Sequence, residues 1–163
     1  MIVRAATRDD LDAVWPMLRD VVSSADTYAY DPAMTKEDAY TLWFEAPLRT
    51  FVAEEDGRVL GSYYLKANQS GPGNHVCNCG YMVSKEARGR GVASRMCEHS
   101  QVVALEMGYK AMQFNLVVET NTGAVRLWQK LGFDIVGTIP KAFRHPGKGY
   151  VAAHVMYKWL APE

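Results

Sequence analysis

Two glycines flanked by arginines mark the part of the sequence best suited to hold an anion. The stretch from Ser84 to Ser94 follows an apolar segment, contains Gly89 and Gly91, and leads into a helical pattern. Glycine has no Cβ atom, so it allows close approach of the backbone to a ligand. The first turn of a helix adds unpaired N–H groups and about half a positive charge. The stretch is therefore predicted to bind a phosphate or pyrophosphate group.

Four interpretations of these glycines compete. A Walker A loop would end in Gly-Lys-Ser/Thr, which this stretch lacks. A dinucleotide-binding loop would carry a third glycine where Ser94 stands and would follow an early strand directly. A glycine-rich turn before an ordinary helix would bind nothing. Arg88, Gly91 and Ala93 fit a fourth pattern, Arg/Gln-x-x-Gly-x-Gly/Ala, which is the pyrophosphate loop of the GNAT acetyltransferases.

A second stretch, Asn121 to Phe133, also resembles a motif of that family, Asn-x-x-Ala/Ser-x-x-Leu-Tyr-x-x-x-Gly-Phe. It follows the next predicted strand, as it does in the family. The segment Arg4 to Leu11 is similar to the family's opening strand and helix. On these residues the chain is identified as a member of the GNAT superfamily of N-acetyltransferases over nearly its whole length.

The resemblance implies that acetyl-CoA lies where the fourth and fifth strands splay apart. The pantetheine is then expected at the main chain of Met82 and Val83, with the Val83 amide polarising the thioester carbonyl. Asn121 is expected to reach the cofactor. An amine attacks the thioester directly in a ternary complex, and holding the two reactants in line contributes up to about 7–11 kcal/mol. The residues expected at the pyrophosphate are Arg88, Gly89, Arg90, Gly91, Val92, Ala93 and Ser94.

One position departs from the family pattern. The family usually carries a tyrosine after the motif leucine, as the acid that protonates the leaving thiolate, and Trp128 stands there in this chain. An indole N–H donates a hydrogen bond but does not release its proton. Either water or another tyrosine supplies the proton, or no acid is needed. Trp128 also shares an apolar helix face with Leu127 and Leu131, which is typical of a core residue.

The general base has no strong candidate. The fourth strand holds no Asp or Glu, although many relatives carry a base there. Asp26, His75 and Glu119 are weaker candidates for deprotonating the amine before attack. His75, Cys77 and Cys79 alternate and would share one strand face, but a fourth ligand is not evident and no metal is predicted.

Asparagines near the expected gap bear on the acceptor. The segments around Asn78 and Asn115, together with Asn121 and Trp128, are similar to the fungal acetyltransferases that act on azetidine-2-carboxylate and related proline analogues. That resemblance implies that Asn78 and Asn115 bind substrate, and that Asn115 and Asn121 serve catalysis. Alternatively, Asn78 and Asn115 are polar residues on half-exposed strands. The acceptor is accordingly predicted to be a small amino or imino acid.

Three other functions stay open at this point. The same fold could acetylate a peptide or protein N-terminus. The missing tyrosine makes a non-catalytic acetyl-CoA-binding sensor domain worth considering. A dinucleotide-dependent oxidoreductase is the remaining alternative, which bound CoA in place of NAD would exclude.

The amino-acid composition limits the kinds of partner and the cell compartment that can be expected. The chain has 163 residues, with 18 basic and 18 acidic side chains, so no overall field favours nucleic acid. No apolar run is long enough to span a bilayer, and charged residues interrupt the N-terminal segment where a signal peptide would be apolar. Three cysteines are too few for a disulfide framework. A single cytoplasmic domain over residues 1–163 is expected, with a homodimer left open.

Periodicity and turn signals then predict the elements that position these groups, in the order β-α-α-β-β-β-α-β-α-β-β. Three antiparallel-type strands before a β-α-β unit indicate an α/β fold, with a mixed, mostly antiparallel sheet of about seven strands flanked by about four helices. Pro16 is expected to bend the first helix, and the second is expected to carry Ala39, Leu42, Trp43 and Ala46 on one face. The resemblance to the family implies that the segments Ser23 to Met34 and Lys141 to Gly149 form loops over the substrate. Strands are predicted at 2–6, 50–54, 59–66, 75–83, 111–119, 134–140 and 150–159, and helices after Thr7 and Thr35 and at 91–107 and 122–131.

Overall fold

The computed structural model describes residues 1–162 and confirms the predicted order of elements. The helices are α1 (Leu11–Ser24), α2 (Lys36–Tyr40), α3 (Val92–Glu106) and α4 (Thr122–Lys130). The strands are β1 (Ile2–Ala5), β2 (Arg49–Glu55), β3 (Arg58–Ala67), β4 (Val76–Val83), β5 (Ala111–Val118), β6 (Asp134–His145) and β7 (Gly149–Trp159).

The seven strands form one mixed sheet in the order β1-β2-β3-β4-β5-β7-β6. Every neighbouring pair is antiparallel except β4 and β5, which are joined by the crossover helix α3 and run parallel. Helices α1 and α2 cover one face, where Leu18 and Trp43 pack with Met82. Helices α3 and α4 cover the other face, where Met96 and Trp128 pack in a second core.

The first helix begins at the predicted capping box. Thr7 and Asp10 exchange the two capping contacts, and a short 3-10 turn leads into α1, which continues through Pro16. Arg4 of β1 donates to both oxygens of Asp10, at 2.9 and 2.8 Å, and also to Glu54 of β2 at 2.8 Å. The hydrogen bonds from Arg4 hold the pKa of Asp10 below its usual value. This network fixes the start of α1 against the edge of the sheet.

The second helix differs from the prediction after its first turn. Helix α2 gives way to a π-helical turn over Thr41–Glu45, in which the Ala46 amide donates to the Thr41 carbonyl at 2.8 Å. The wider turn rotates the chain, so Trp43 is fully buried but Ala46 is exposed. The prediction that Ala46 shares one helix face with Trp43 is therefore wrong. The indole N–H of Trp43 donates to the buried Ser62 hydroxyl at 2.9 Å, which anchors this turn to β3.

The last hairpin also differs from the prediction. Strand β6 continues to His145 and β7 begins at Gly149, so most of the segment expected to be a loop over the substrate is strand. Pro140 is tolerated because β6 is an edge strand. The pairing register shifts between Ile139 and Phe143, and Lys141 takes a φ of 54° within that bulge.

Gly61 of β3 lies where the sheet approaches the start of α3 most closely. A Cβ atom there would lie 2.8 Å from the Met82 carbonyl oxygen and 2.9 Å from the terminal methyl group of Met96. Gly61→Ala should therefore lower the free energy of unfolding by about 1–3 kcal/mol, because a well-packed core resists added volume. Urea denaturation of the two proteins measures this difference.

Gly137→Ala is the matched control, since a Cβ atom at that β6 position meets no atom within 4 Å. It should leave the free energy of unfolding nearly unchanged. Equal stability of the two variants would show that the sheet and α3 are not in tight contact at Gly61.

Candidate active site

A gap between β4 and β5 is the centre of the candidate site. The two strands pair only at Val76 with Ala111 and at Cys77 with Met112. Both strands continue beyond these pairs without pairing to each other, as predicted. On its other edge β5 shifts register against β7 between Phe114 and Val117, a bulge that bends the strand. The sheet is therefore open from its middle to the carboxyl end of β4.

The main chain of β4 faces this gap at alternate residues. The Val76 carbonyl accepts from Asn68 at 2.8 Å and the Ser84 amide donates to Leu60 at 2.9 Å, so even-numbered residues bond toward β3. Successive residues point their main-chain groups to opposite edges of a strand, which leaves those of Tyr81 and Val83 facing the gap. Of the predicted pair, Val83 thus offers main-chain groups to a ligand. Met82 contributes a side chain that packs beneath α1.

A cavity of 990 Å³ extends from the gap and joins the predicted cofactor and substrate residues. Its walls come from β3, β4, β5, the starts of α3 and α4, and the loop that follows α1. A pocket of this size suits a small-molecule ligand. The predicted site residues that line it are Asn78, Met82, Val83, Arg88, Ala93, Asn115 and Asn121.

The glycine-rich stretch has the backbone that an anion site requires. Gly89 and Gly91 both have φ of +76°, a region that other residues rarely occupy. The first hydrogen bond of α3 runs from the Arg95 amide to the Gly91 carbonyl at 3.0 Å. The amides of residues 92–94 therefore precede the helical ladder and are available to a ligand. The Arg88 and Arg90 amides differ, since they donate at 3.4 and 3.3 Å to carbonyls of the preceding turn.

The two arginines of this stretch separate in the structure. Arg88 lines the cavity. The guanidinium of Arg90 forms an ion pair with Glu55 of β2 and lines a second cavity with Arg4 and Asp10. Of these two arginines, Arg88 is therefore the one that brings positive charge to the cavity.

Trp128 is both a core residue and part of the cavity wall. It is 8% exposed, and its ring centroid lies 5.1 Å from those of Tyr81 and Phe114. The predicted core position is correct. A tyrosine substitute for the family's acid would have to come from the tyrosines that line the cavity, which are Tyr28, Tyr30, Tyr64 and Tyr81. Burial raises the pKa of all four hydroxyls, so they are protonated.

The loop after α1 brings one of these tyrosines into the gap. The Tyr28 hydroxyl donates to the Tyr81 carbonyl at 2.8 Å, so a gap-facing main-chain group is already bonded by a side chain. The ring of Tyr28 stacks on Tyr30, with centroids 5.1 Å apart. The predicted substrate loop at 23–34 therefore does line the site, and its contact with β4 is through the tyrosine hydroxyl.

The three predicted asparagines all make hydrogen bonds within the protein. Asn78 is buried, and its Nδ2 donates to the Gln113 carbonyl at 2.9 Å. Asn115 is exposed, and its Nδ2 donates to Asn68 Oδ1 at 2.7 Å. Asn121 caps α4 by accepting from the Ala124 amide at 3.3 Å. Their roles toward substrate and cofactor stay predictions.

The structure separates the three candidate bases. Asp26 lines the cavity and accepts a hydrogen bond from Ser24. The carboxylate of Glu119 accepts a hydrogen bond from the Ala152 amide at 2.8 Å. His75 precedes the first residue of β4 and lies near Trp159. Neither lines the cavity, so Asp26 is the one candidate of the three that does. Among residues 1–162, no three His, Cys, Asp or Glu side chains form a metal-binding group.

Lys66 is a cavity residue that the sequence analysis missed. It is paired across the sheet with Asn78, and its Nζ lies 5.4 Å from the centre of the Tyr64 ring. Its side chain makes no ion pair with residues 1–162. In the sequence, the one sign of this position was that Tyr64 and Lys66 are two residues apart and so share one strand face. That spacing does not show that β4 lies beside them.

Known proteins match this chain over most of its length. A model of the acetyltransferase (GNAT) family matches residues 15–133. The N-acetyltransferase aca1 of Schizosaccharomyces pombe is 32% identical over 158 residues, which cover 86% of this chain and 75% of that protein. A GCN5-related N-acetyltransferase from Kribbella flavida has 49% identity and a TM-score of 0.93, over 98% of this chain and 97% of that chain.

A third match carries the cofactor. The YncA structure from Salmonella typhimurium, solved with its cofactor acetyl-CoA, has a TM-score of 0.89 over 100% of this chain and 95% of that chain. Its 20% identity establishes a likeness of fold.

The chain therefore belongs to the acetyltransferase (GNAT) family and is an acetyl-CoA-dependent N-acetyltransferase. The splayed strands and the left-handed glycines before α3 are the features of the chain that fit this cofactor. In the part of the chain that the structure describes, no helix combines the length and apolar character needed to cross a membrane.

The amides at the start of α3 should be needed for cofactor affinity. Gly91→Val introduces a branched side chain at φ +76° and disturbs the backbone that presents those amides. Because a hydrogen bond to a charged group contributes about 1.5–3 kcal/mol, acetyl-CoA should bind at least about tenfold more weakly. Isothermal titration calorimetry on the folded variant gives the affinity.

Gly108→Val is the control for strain alone, since Gly108 lies just beyond the opposite end of α3 with φ +89°. This variant should bind acetyl-CoA like the unmodified protein. Equal affinity in the two variants would remove the glycine-rich stretch from the cofactor site.

Proposed function

We propose that this enzyme acetylates the amine of a small amino or imino acid, by direct attack of that amine on acetyl-CoA in a ternary complex. The chemistry needs the cofactor and the acceptor side by side. The cavity supports this, because one continuous space includes Val83 and Arg88 at one part and Asn115 and Lys66 at another. The two substrates can therefore meet without a covalent enzyme intermediate.

Lys66 is the observation that favours an acceptor with a carboxylate. Lys66 lines the cavity without an ion-pair partner in residues 1–162, and Asn115 of β5 lines the same cavity. A carboxylate accepts hydrogen bonds from both kinds of donor. The aromatic rings of Tyr28, Tyr30 and Tyr64 would then contact the apolar part of a small acceptor.

Asp26 is the residue that we assign to the acceptor's proton. A protonated amine carries no free electron pair, so it must lose a proton before it attacks. The new C–N bond forms as the C–S bond of the thioester breaks. The nitrogen loses a second proton as the amide forms, and the sulfur gains a proton and leaves as a thiol. The carboxylate of Asp26 lines the cavity on the loop after α1, where it can receive the amine proton.

The comparisons are compatible with this acceptor and leave its identity open to test. The relative from fission yeast is a fungal N-acetyltransferase, which agrees in kind with the fungal subgroup that Asn78, Asn115 and Trp128 resemble. We also propose a cytoplasmic location. Its support is that Cys77, Cys79 and Cys97 are all free and buried, as is usual in a reducing compartment.

Lys66→Met tests the proposed acceptor, because it keeps the length of the side chain and removes its charge. We expect kcat/KM to fall about tenfold for an amino acid substrate, the effect of one charge-assisted hydrogen bond at a partly solvated site. The carboxamide of the same amino acid should be used equally well by both enzymes. CoA release in a screen of amino acids, proline analogues, polyamines and peptides identifies the substrate to use.

The matched control is Lys130→Met, which removes one lysine outside the cavity wall. It should leave both substrates unaffected. If Lys66→Met impairs the acid and the carboxamide equally, or if only peptides and polyamines are acetylated, the proposed acceptor is wrong.

A further inference from the structure

The pairing of β4 with β5 ends where the side chain of Asn78 forms a hydrogen bond to β5. The last paired residues are Cys77 and Met112, and the next main-chain acceptor on β5 is the Gln113 carbonyl. If the parallel ladder continued, a main-chain N–H of β4 would bond to that carbonyl. Instead, Nδ2 of Asn78 donates to it at 2.9 Å. A side-chain amide thus takes the place of the main-chain donor at the point where the strands separate.

Two neighbouring residues hold Asn78 in this position. The Tyr64 hydroxyl donates to Asn78 Oδ1 at 3.3 Å, so both ends of the amide are bonded. The ring of Tyr64 lies directly against Gly80, where a Cβ atom would be 2.5 Å from the ring. Only glycine allows the ring to lie that close to β4. Asn78 itself is 7% exposed, so its rotamer is fixed by packing as well as by hydrogen bonds.

We propose that Asn78 is a positioning residue that ends the β4–β5 ladder and sets the width of the acetyl-CoA gap. The side chain separates the strands while satisfying the carbonyl that separation leaves unbonded. A free buried carbonyl would favour closure of the gap by main-chain pairing. The amide removes that tendency, so the gap exists before the cofactor arrives and its binding does not have to open the sheet.

This role differs from direct substrate recognition, which the sequence predicts for the same residue. Both polar ends of Asn78 are already bonded within the protein, to Gln113 and Tyr64. A substrate contact predicts weaker acceptor binding and unchanged cofactor binding when Asn78 is replaced. The positioning role predicts the reverse. It depends on the cofactor alone, so it stands or falls separately from the acceptor proposed above.

Asn78→Asp is the sharpest test, because it keeps the shape of the side chain and replaces its donor by an ionisable oxygen. Above neutral pH the carboxylate would face the Gln113 carbonyl as a second acceptor, and acetyl-CoA should bind about tenfold more weakly or worse. Burial beside the Gln113 carbonyl oxygen should raise the pKa of this carboxyl group above the usual value for Asp. At about pH 5.5 the protonated carboxyl group can then donate to the carbonyl again. The ratio of the variant's Kd to the unmodified protein's Kd should then return toward one.

Calorimetric titration with acetyl-CoA alone, without an acceptor, measures these constants. Burial raises the pKa of the neighbouring Tyr64, so its hydroxyl does not titrate over this range and the recovery reports the new carboxyl group. Asn74→Asp, which adds the same charge in the exposed loop before β4, should bind acetyl-CoA normally at both pH values.

Tyr64→Phe provides a second variant that keeps the ring on Gly80 and removes the hydroxyl that bonds to Asn78. It should weaken acetyl-CoA binding about two- to twelvefold, since a neutral hydrogen bond contributes about 0.5–1.5 kcal/mol. If Asn78→Asp does not fold, unchanged affinity in Tyr64→Phe overturns the proposal. It is likewise overturned if folded Asn78→Asp binds acetyl-CoA normally and only the acceptor's KM rises, or if its lost affinity does not recover at low pH.

Discussion

The structure depends on an unfinished parallel ladder between β4 and β5. Backbone N–H and C=O groups in a protein interior must find partners, and a strand pair that stops after two residues leaves several without one. In this chain Asn78 bonds to the Gln113 carbonyl and Tyr28 bonds to the Tyr81 carbonyl. The remaining groups, at Val83 above all, face a cavity. Unpaired main-chain groups of this kind would destabilise an ordinary sheet. In this sheet they are available to bind a ligand.

The rest of the fold keeps that gap in one shape. On one face, α3 packs closely on β3 because Gly61 has no side chain, which fixes the start of the helix beside the end of β4. On the other face, Trp43 forms a hydrogen bond with Ser62, which holds the π-helical turn in place. Tyr28, in the loop after α1, packs against Trp43. The amides at the start of α3, the gap, and the tyrosines that follow α1 are thus carried by elements that pack on the two faces of one sheet. Packing on the sheet fixes their relative positions, together with the hydrogen bonds of Asn78 and Tyr28.

Local signals in the sequence were enough to predict the element order and the left-handed backbone before α3. Glycine at positions 89 and 91 indicates left-handed backbone directly, and a capping box at Thr7 marks a helix start without reference to the rest of the chain. The predictions failed where a contact with a residue distant in the sequence determines the position of a side chain. Arg90 bonds to Glu55, Asn78 bonds to a carbonyl on another strand, and Lys66 becomes a cavity residue only when β4 lies beside it. The π-helical turn and the extension of β6 likewise depend on tertiary packing and on an edge position that periodicity does not encode.

Amide hydrogen exchange measured residue by residue with NMR, with and without acetyl-CoA, tests the central claim most directly. The Met82 amide bonds toward β3, whereas the Val83 amide faces the gap. Although the two are adjacent in one strand, Met82 should exchange slowly in both states and Val83 should exchange fast until acetyl-CoA is added. The amides of residues 92–94 should slow together with Val83. If Val83 is already protected in the free protein, or if acetyl-CoA protects other segments and leaves Val83 unchanged, the gap between β4 and β5 is not the cofactor site.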